Sequence, residues 1–150
     1  GINVSSNLKF RDGNDVLRLQ FVYGEGIENY MNDAPADVAI DQVSTSPTAP
    51  VSVVALPVMG IVAFLDHTWS ERYSTSVGYS MVDIDNTDAQ APSTFHRGHY
   101  AIGNLLYYPT ENVTTGIEVQ WGKRENFSDD FTSDDLKIQA SFKYNFSKSL

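Results

Sequence analysis

The chain has 150 residues, enough for one domain, and a formal net charge of −9. That charge argues against a nucleic-acid partner, which would select basic surface, and the absence of cysteine excludes a disulfide scaffold and a thiolate metal site. No apolar run reaches the length of a membrane-spanning helix, but that test is blind to spanning β-strands, half of whose residues are polar.

Gly1 to Val4 already follow a strand pattern with no signal-peptide pattern ahead of them, as expected of a mature or truncated chain. Ile2, Val4, Leu8 and Phe10 alternate with Asn3, Ser5, Asn7 and Lys9, and Ser6 is the polar lapse on the apolar side. Arg11-Asp12-Gly13-Asn14-Asp15 then predicts a tight turn, because Gly, Asn and Asp tolerate positive φ. Leu17, Leu19, Phe21 and Tyr23 share one face of the next strand, opposite Arg18, Gln20 and Val22.

From Gly24 to about Ser52 the pattern breaks. Gly24, Gly26, Pro35, Pro47 and Pro50 mix there with Asp33, Asp37 and Asp41, predicting one long connection, about residues 25–52. Strand character returns from about Leu56 to Trp69, through a run from Met59 to Leu65 too continuously apolar to assign its faces.

Ser70-Glu71-Arg72 is a short turn, and Tyr73, Thr75, Val77, Tyr79 and Met81 then alternate with small polar residues. Asp83 to Ser93 is a longer acidic loop. A strand from about Arg97 to Tyr108 has ambiguous faces, since Asn104 interrupts Tyr100, Ile102, Leu106 and Tyr108. Pro109 to Asn112 is a short turn. Val113, Thr115, Ile117, Val119 and Trp121 oppose Thr114, Gly116, Glu118, Gln120 and Gly122. A further acidic loop, about Glu125 to Asp135, leads to the clearest strand, Leu136 to Phe146, with apolar or aromatic residues at every even position and polar ones at every odd position.

A period of two held this long gives a strand with one apolar and one wet face, about the 9 to 11 residues that cross a bilayer at a tilt. The connections alternate between short and long, the arrangement of bacterial outer-membrane barrels with short periplasmic turns and longer external loops. The expected fold is therefore all-β, an antiparallel up-and-down transmembrane β-barrel, with residues 1–150 as a single domain and 25–52 as its long external loop. The count is about seven strands, whereas a closed single-chain bacterial barrel has an even number. Either these are the C-terminal strands of a larger barrel, or a strand lies unrecognised within Gly24 to Ser52. A soluble sandwich is the alternative fold.

Several segments resemble the C-terminal part of DcaP-like porins. They are Leu17 to Gly26, Val77-Gly78-Tyr79-Ser80, Asn104 to Pro109, Gln120-Trp121-Gly122-Lys123-Arg124-Glu125-Asn126-Phe127, and the Lys143-Tyr144-Asn145-Phe146 ending. The resemblance implies a trimeric channel of the bacterial outer membrane, with a barrel of about 16 strands, passing small anionic solutes such as dicarboxylates and bounded by outer-membrane lipid and lipopolysaccharide. It implies no cofactor and no enzymatic activity. The first half of such a porin has no counterpart here, and Ser147 to Leu150 continue past the terminal aromatic.

Arg18, Gln20, Glu118, Gln120, Lys137, Gln139 and Lys143 share the polar faces of their strands and are the expected pore lining. Basic side chains in a water-filled pore favour anions, and Arg18 can grip a carboxylate through two hydrogen bonds. The plainer alternative is a solvated sheet face. Trp69, Tyr73, Tyr108 and Phe146 at the turn ends, with Tyr23 and Trp121 near the loop ends, are the expected aromatic girdles; simple β-propensity is the alternative. The loop aspartates lack the spacing of a calcium loop. His67, His96 and His99 lack zinc spacing and no nucleophile is fixed beside them, so neither a metal nor a catalytic site is expected. The expected function is a passive diffusion porin. The competing functions are a soluble or surface-exposed all-β binding module, and an outer-membrane adhesin or lipid-modifying barrel enzyme.

Overall fold

The alternating segments become seven long strands in the computed structural model, which describes residues 1–28, 31, 34–43 and 51–146. These are β1 (Ile2–Phe10), β2 (Asp15–Glu25), β5 (Pro57–Ser70), β6 (Tyr73–Ile84), β7 (Phe95–Thr110), β8 (Val113–Asn126) and β9 (Thr132–Tyr144). They pair antiparallel in the order β1-β2-β5-β6-β7-β8-β9, a 7-stranded sheet that does not close on itself. Ser147 to Leu150, Asp33, Pro47 and Pro50 lie outside the described residues.

The connection from Gly24 to Ser52 is more structured than its composition suggests. It contains a hairpin of β3 (Val38–Val43) and β4 (Val51–Ala55), which forms its own 2-stranded sheet and adds nothing to the main one. Its signal is weak because both strands are short and β3 is interrupted by a register shift between Ile40 and Gln42.

Apart from register shifts at Thr68/Ser70, Phe95/Arg97 and Tyr107/Thr110, the register sorts the side chains by face along the pairings. Leu19 meets Ala63, Ala63 meets Tyr79, Tyr79 meets Ala101, Ala101 meets Trp121 and Trp121 meets Leu136. One residue further along, Arg18 meets Phe64, Phe64 meets Gly78, Gly78 meets Ile102, Ile102 meets Gln120 and Gln120 meets Lys137. The first row lies on an apolar face and the second on a wet face.

The ambiguity of β5 has a physical cause. Its apolar-face residues Ile61, Ala63 and Leu65 continue the apolar rows. On its wet face, Val58 joins Leu56, Val82, Ile84 and Ala39 in a small core, with Ile27, Met31 and Phe95 packed against it. The connection covers the wet face at that end, so both faces of the strand carry apolar residues there and its sequence does not alternate.

All the short turns lie at one rim. Phe10 pairs with Asp15, Ser70 with Tyr73, and Thr110 with Val113, which in turn pairs with Tyr144. Asn145 donates its N–H to the Asn112 carbonyl at 2.8 Å, bringing the Phe146 end to the same rim. The first of these turns takes φ of 53° at Arg11, 58° at Asp12 and 87° at Gly13; the last is the one a glycine makes inexpensive. The long connections leave from the opposite rim.

Candidate functional site: a two-faced sheet

The apolar face is uncharged across a broad band. It runs through Ile2 to Phe10 on β1, Leu17 to Tyr23 on β2, Met59 to Leu65 on β5 and Tyr73 to Met81 on β6. It continues through Ala101 to Tyr107 on β7, Val113 to Trp121 on β8 and Leu136 to Tyr144 on β9. None of its alternate positions is ionisable except through a tyrosine hydroxyl. On most of the strands the band is about 9 residues long, the length that crosses a bilayer's hydrocarbon at a strong tilt. Nothing among the described residues covers it: Ile2 is 64 %, Ile138 70 % and Phe142 72 % exposed.

Charge begins where the band ends. At the long-loop end, Arg97 pairs with Asp83 and lies 3.8 Å from Glu125, which Lys123 holds at 2.6 Å. The His99 ring joins them, with its Nδ1 2.6 Å from the Tyr79 hydroxyl and its Nε2 3.6 Å from Glu125. At the short-turn end, His67 pairs with Asp15, a carboxylate only 4 % exposed. His96 braces a loop, its Nδ1 2.9 Å from the Ile84 carbonyl. Among the described residues no three His, Asp or Glu side chains gather as a metal site.

The aromatics fall at the edges of this band, with one correction. Trp69 stands edge-on to His67 and donates to Thr75 at 2.9 Å; Tyr144 and Phe146 stack at 6.3 Å. These lie at the short-turn rim, and Tyr23 and Trp121 lie toward the other. Tyr108, expected among the girdle aromatics, does not lie on the apolar face. Its hydroxyl bonds Ser74 on the wet face at 2.9 Å, while Tyr107 pairs with Tyr73 and stacks on it at 5.0 Å. Adjacent strand residues point to opposite faces, so only one of the two tyrosines can look outward.

Arg18, Gln20, Glu118, Gln120, Lys137, Gln139 and Lys143 all lie on the wet face. They are not equivalent. Arg18 donates to Asp66 at 2.7 Å, and Asp66 also accepts from Ser76 at 2.7 Å, so the guanidinium charge is compensated. Asp66 went unrecognised in the sequence because the faces of β5 could not be separated there. Glu118 accepts from Gln120 and, at 3.1 Å, from Gln139. Gln20 donates to Asn3 at 3.2 Å. Lys9, Lys137 and Lys143 make no ion pair among the described residues and are open cations of this face; Arg124, on the same face at its loop end, has no carboxylate partner among them either and donates to Asn126 at 3.0 Å and to the Ser93 carbonyl at 3.3 Å.

The long connection bends over the wet face at its loop end. Met31 reaches Gly60, leaving a cavity of about 600 Å³ between the connection and the strands. Within the same connection Glu28 is 2 % exposed, its carboxyl buried beside that of Asp37. Burial, reinforced by the neighbouring Asp37, pushes its carboxyl above the ordinary carboxylate range. Glu28 falls within the connection expected at residues 25–52, and its burial follows from packing against the sheet that no local pattern encodes.

Comparison with protein-family models, with characterised proteins and with solved structures gave no match.

Proposed function

We propose that this sheet is part of the wall of a passive diffusion channel in a bacterial outer membrane, of the DcaP-like porin type. The observation that carries the reading is the uncharged apolar band, which runs across all seven strands with exposed side chains on all of them but β5 and is set back to back with a wet face. Monomeric soluble proteins rarely expose contiguous apolar patches above a few hundred Å². A soluble sandwich would cover that band with a second sheet, yet the hairpin β3–β4 packs through Ala39 and Leu56 on the wet side instead.

Hydrocarbon tolerates no unpaired sheet edge. The channel reading therefore requires further strands to close the outer edges of β1 and β9. A barrel of about 16 strands, trimeric assembly and contact with lipopolysaccharide belong to the same reading. So does a preference for small anionic solutes such as dicarboxylates, supported by Lys9, Lys137 and Lys143 on the wet face. The reaction is none: solutes pass down their gradients.

The test is conductance. Purified protein in planar bilayers is expected to give discrete ohmic steps and, in detergent, a folded form that migrates differently before and after boiling. A chain that is folded and monodisperse without detergent would overturn the reading in favour of a soluble binding module.

A further inference from the structure

The cavity under the long connection differs in chemistry from the rest of the wet face. Val22, Val62, Val82, Met31 and Phe95 form its apolar walls. Its polar groups are uncharged: the Gln20 amide, the Ser80 hydroxyl and the Tyr100 phenol. Among the described residues the side chains of Ser80 and Tyr100 make no hydrogen bond, and the carbonyl oxygen of the Gln20 amide is likewise unengaged while its nitrogen holds Asn3. His99 borders the cavity, but its ring is bound by Tyr79 and Glu125 on the apolar side of the sheet. Among the described residues no ionised side chain lines it.

We infer that this cavity is a binding site for an uncharged solute with one apolar or aromatic face and one hydroxyl-bearing edge. A carboxylate placed there would lose its hydration and meet no cation among the described lining residues, which is costly; Arg124, 5.7 Å from the centre of the Phe95 ring, stands outside the lining and is held by Asn126 and the Ser93 carbonyl. Arg18, the nearest wet-face cation on β2, is held by Asp66. A neutral solute loses little, because an amide oxygen and two hydroxyl groups await partners beside a wall suited to a ring. The site thus selects differently from the open lysines on β9, which favour anions. It rests on the geometry of the connection over β5, β6 and β7, and it needs no conductance to be detected.

The test uses two probes that differ at one group: phenyl β-D-glucoside, and phenyl β-D-glucuronide, in which the terminal hydroxymethyl is an ionised carboxylate. Each is titrated by NMR into the whole protein in detergent micelles, with protein-free micelles as the reference. The glucoside is expected to bind at least about tenfold more tightly. Gln20→Leu and Tyr100→Phe should each weaken it severalfold, up to about tenfold, as expected for one lost hydrogen bond. Lys137→Gln, on β9, should leave it unchanged. Ser80→Ala replaces either variant that fails to fold. Equal or tighter binding of the glucuronide, binding of neither probe, or indifference to the cavity variants would overturn the inference. Failure of the channel reading would show separately, as absence of conductance.

Discussion

Glu28 is the residue whose chemistry is most at odds with its surroundings. A carboxyl held above its ordinary range favours the folded state most at low pH. Its contribution is fully present below the unfolded pKa and is lost as pH rises through the folded one. The seating of the long connection is therefore expected to be tighter at pH 4 than at pH 8. Protease cleavage within that connection, followed across this range, should accelerate as pH rises, and Glu28→Gln should flatten the dependence. A cleavage rate independent of pH in the unsubstituted protein would contradict it. Gly78 makes a second demand at this scale. Its paired residue Phe64 lays its ring where a β-carbon at position 78 would stand. Gly78→Ala must displace that ring and is expected to cost about 1–3 kcal/mol in unfolding measurements, as overpacking does. Phe64→Leu in the same background should recover part of the loss.

Among the elements, β9 is the one most completely legible in the sequence. Leu136, Ile138, Ala140, Phe142 and Tyr144 fall on the apolar face, and Lys137, Gln139, Ser141 and Lys143 on the wet face, as their period of two requires. Ile138→Arg puts a charge in the middle of the apolar band. If that band faces lipid, the change is expected to cost about 2–4 kcal/mol of folding into vesicles, whereas Gln139→Arg, one residue away, should cost almost nothing. Equal tolerance of both would remove the lipid from the argument. Legibility fades where two environments meet on one strand. β5 is apolar on both faces because the connection from Ile27 to Leu56 packs on its wet side, a contact between residues that no local period encodes. β7 was ambiguous for a different reason. Its wet face mixes Tyr100, Ile102, Leu106 and Tyr108 with Asn104, whose side-chain oxygen accepts the Ser76 N–H at 2.9 Å where the β6–β7 ladder is interrupted. The hairpin β3–β4 was missed because proline and aspartate around it outweigh two short strands. The candidate lining could be read as a set of faces, since parity alone decides it. The pairing of Arg18 with Asp66 could not, because it joins residues 48 positions apart across two strands.

For the whole molecule, the question is how charge is distributed along a path for solutes. The net charge of −9 would suggest preference for cations. Many of the acids, however, stand in the long connections, such as Asp85, Asp88, Asp129 and Asp130, where water and salt screen them within about 8 Å. On the wet face Arg18 is neutralised by Asp66, and Glu118 is bonded by two amides. The amides leave Glu118 charged, so Lys9, Lys137, Lys143 and, at the loop end, Arg124 set the local field against Glu118 and Asp135. A mildly anion-preferring channel follows, and the pairing predicts which changes move it. Asp66→Asn releases the guanidinium of Arg18 and should raise anion preference. Arg18→Glu sets two acids side by side and should weaken or reverse it. Lys137→Glu should shift it toward cations, more strongly than Lys137→Gln. The reversal potential in a salt gradient measures all four variants against the unsubstituted channel. A shift with Lys137→Glu but none with Asp66→Asn or Arg18→Glu would place the selective part of the path along β9 rather than β2. Cation preference in the unsubstituted protein would give the acidic connections control of the path, and the lysines of the wet face would then act only as solvated charge.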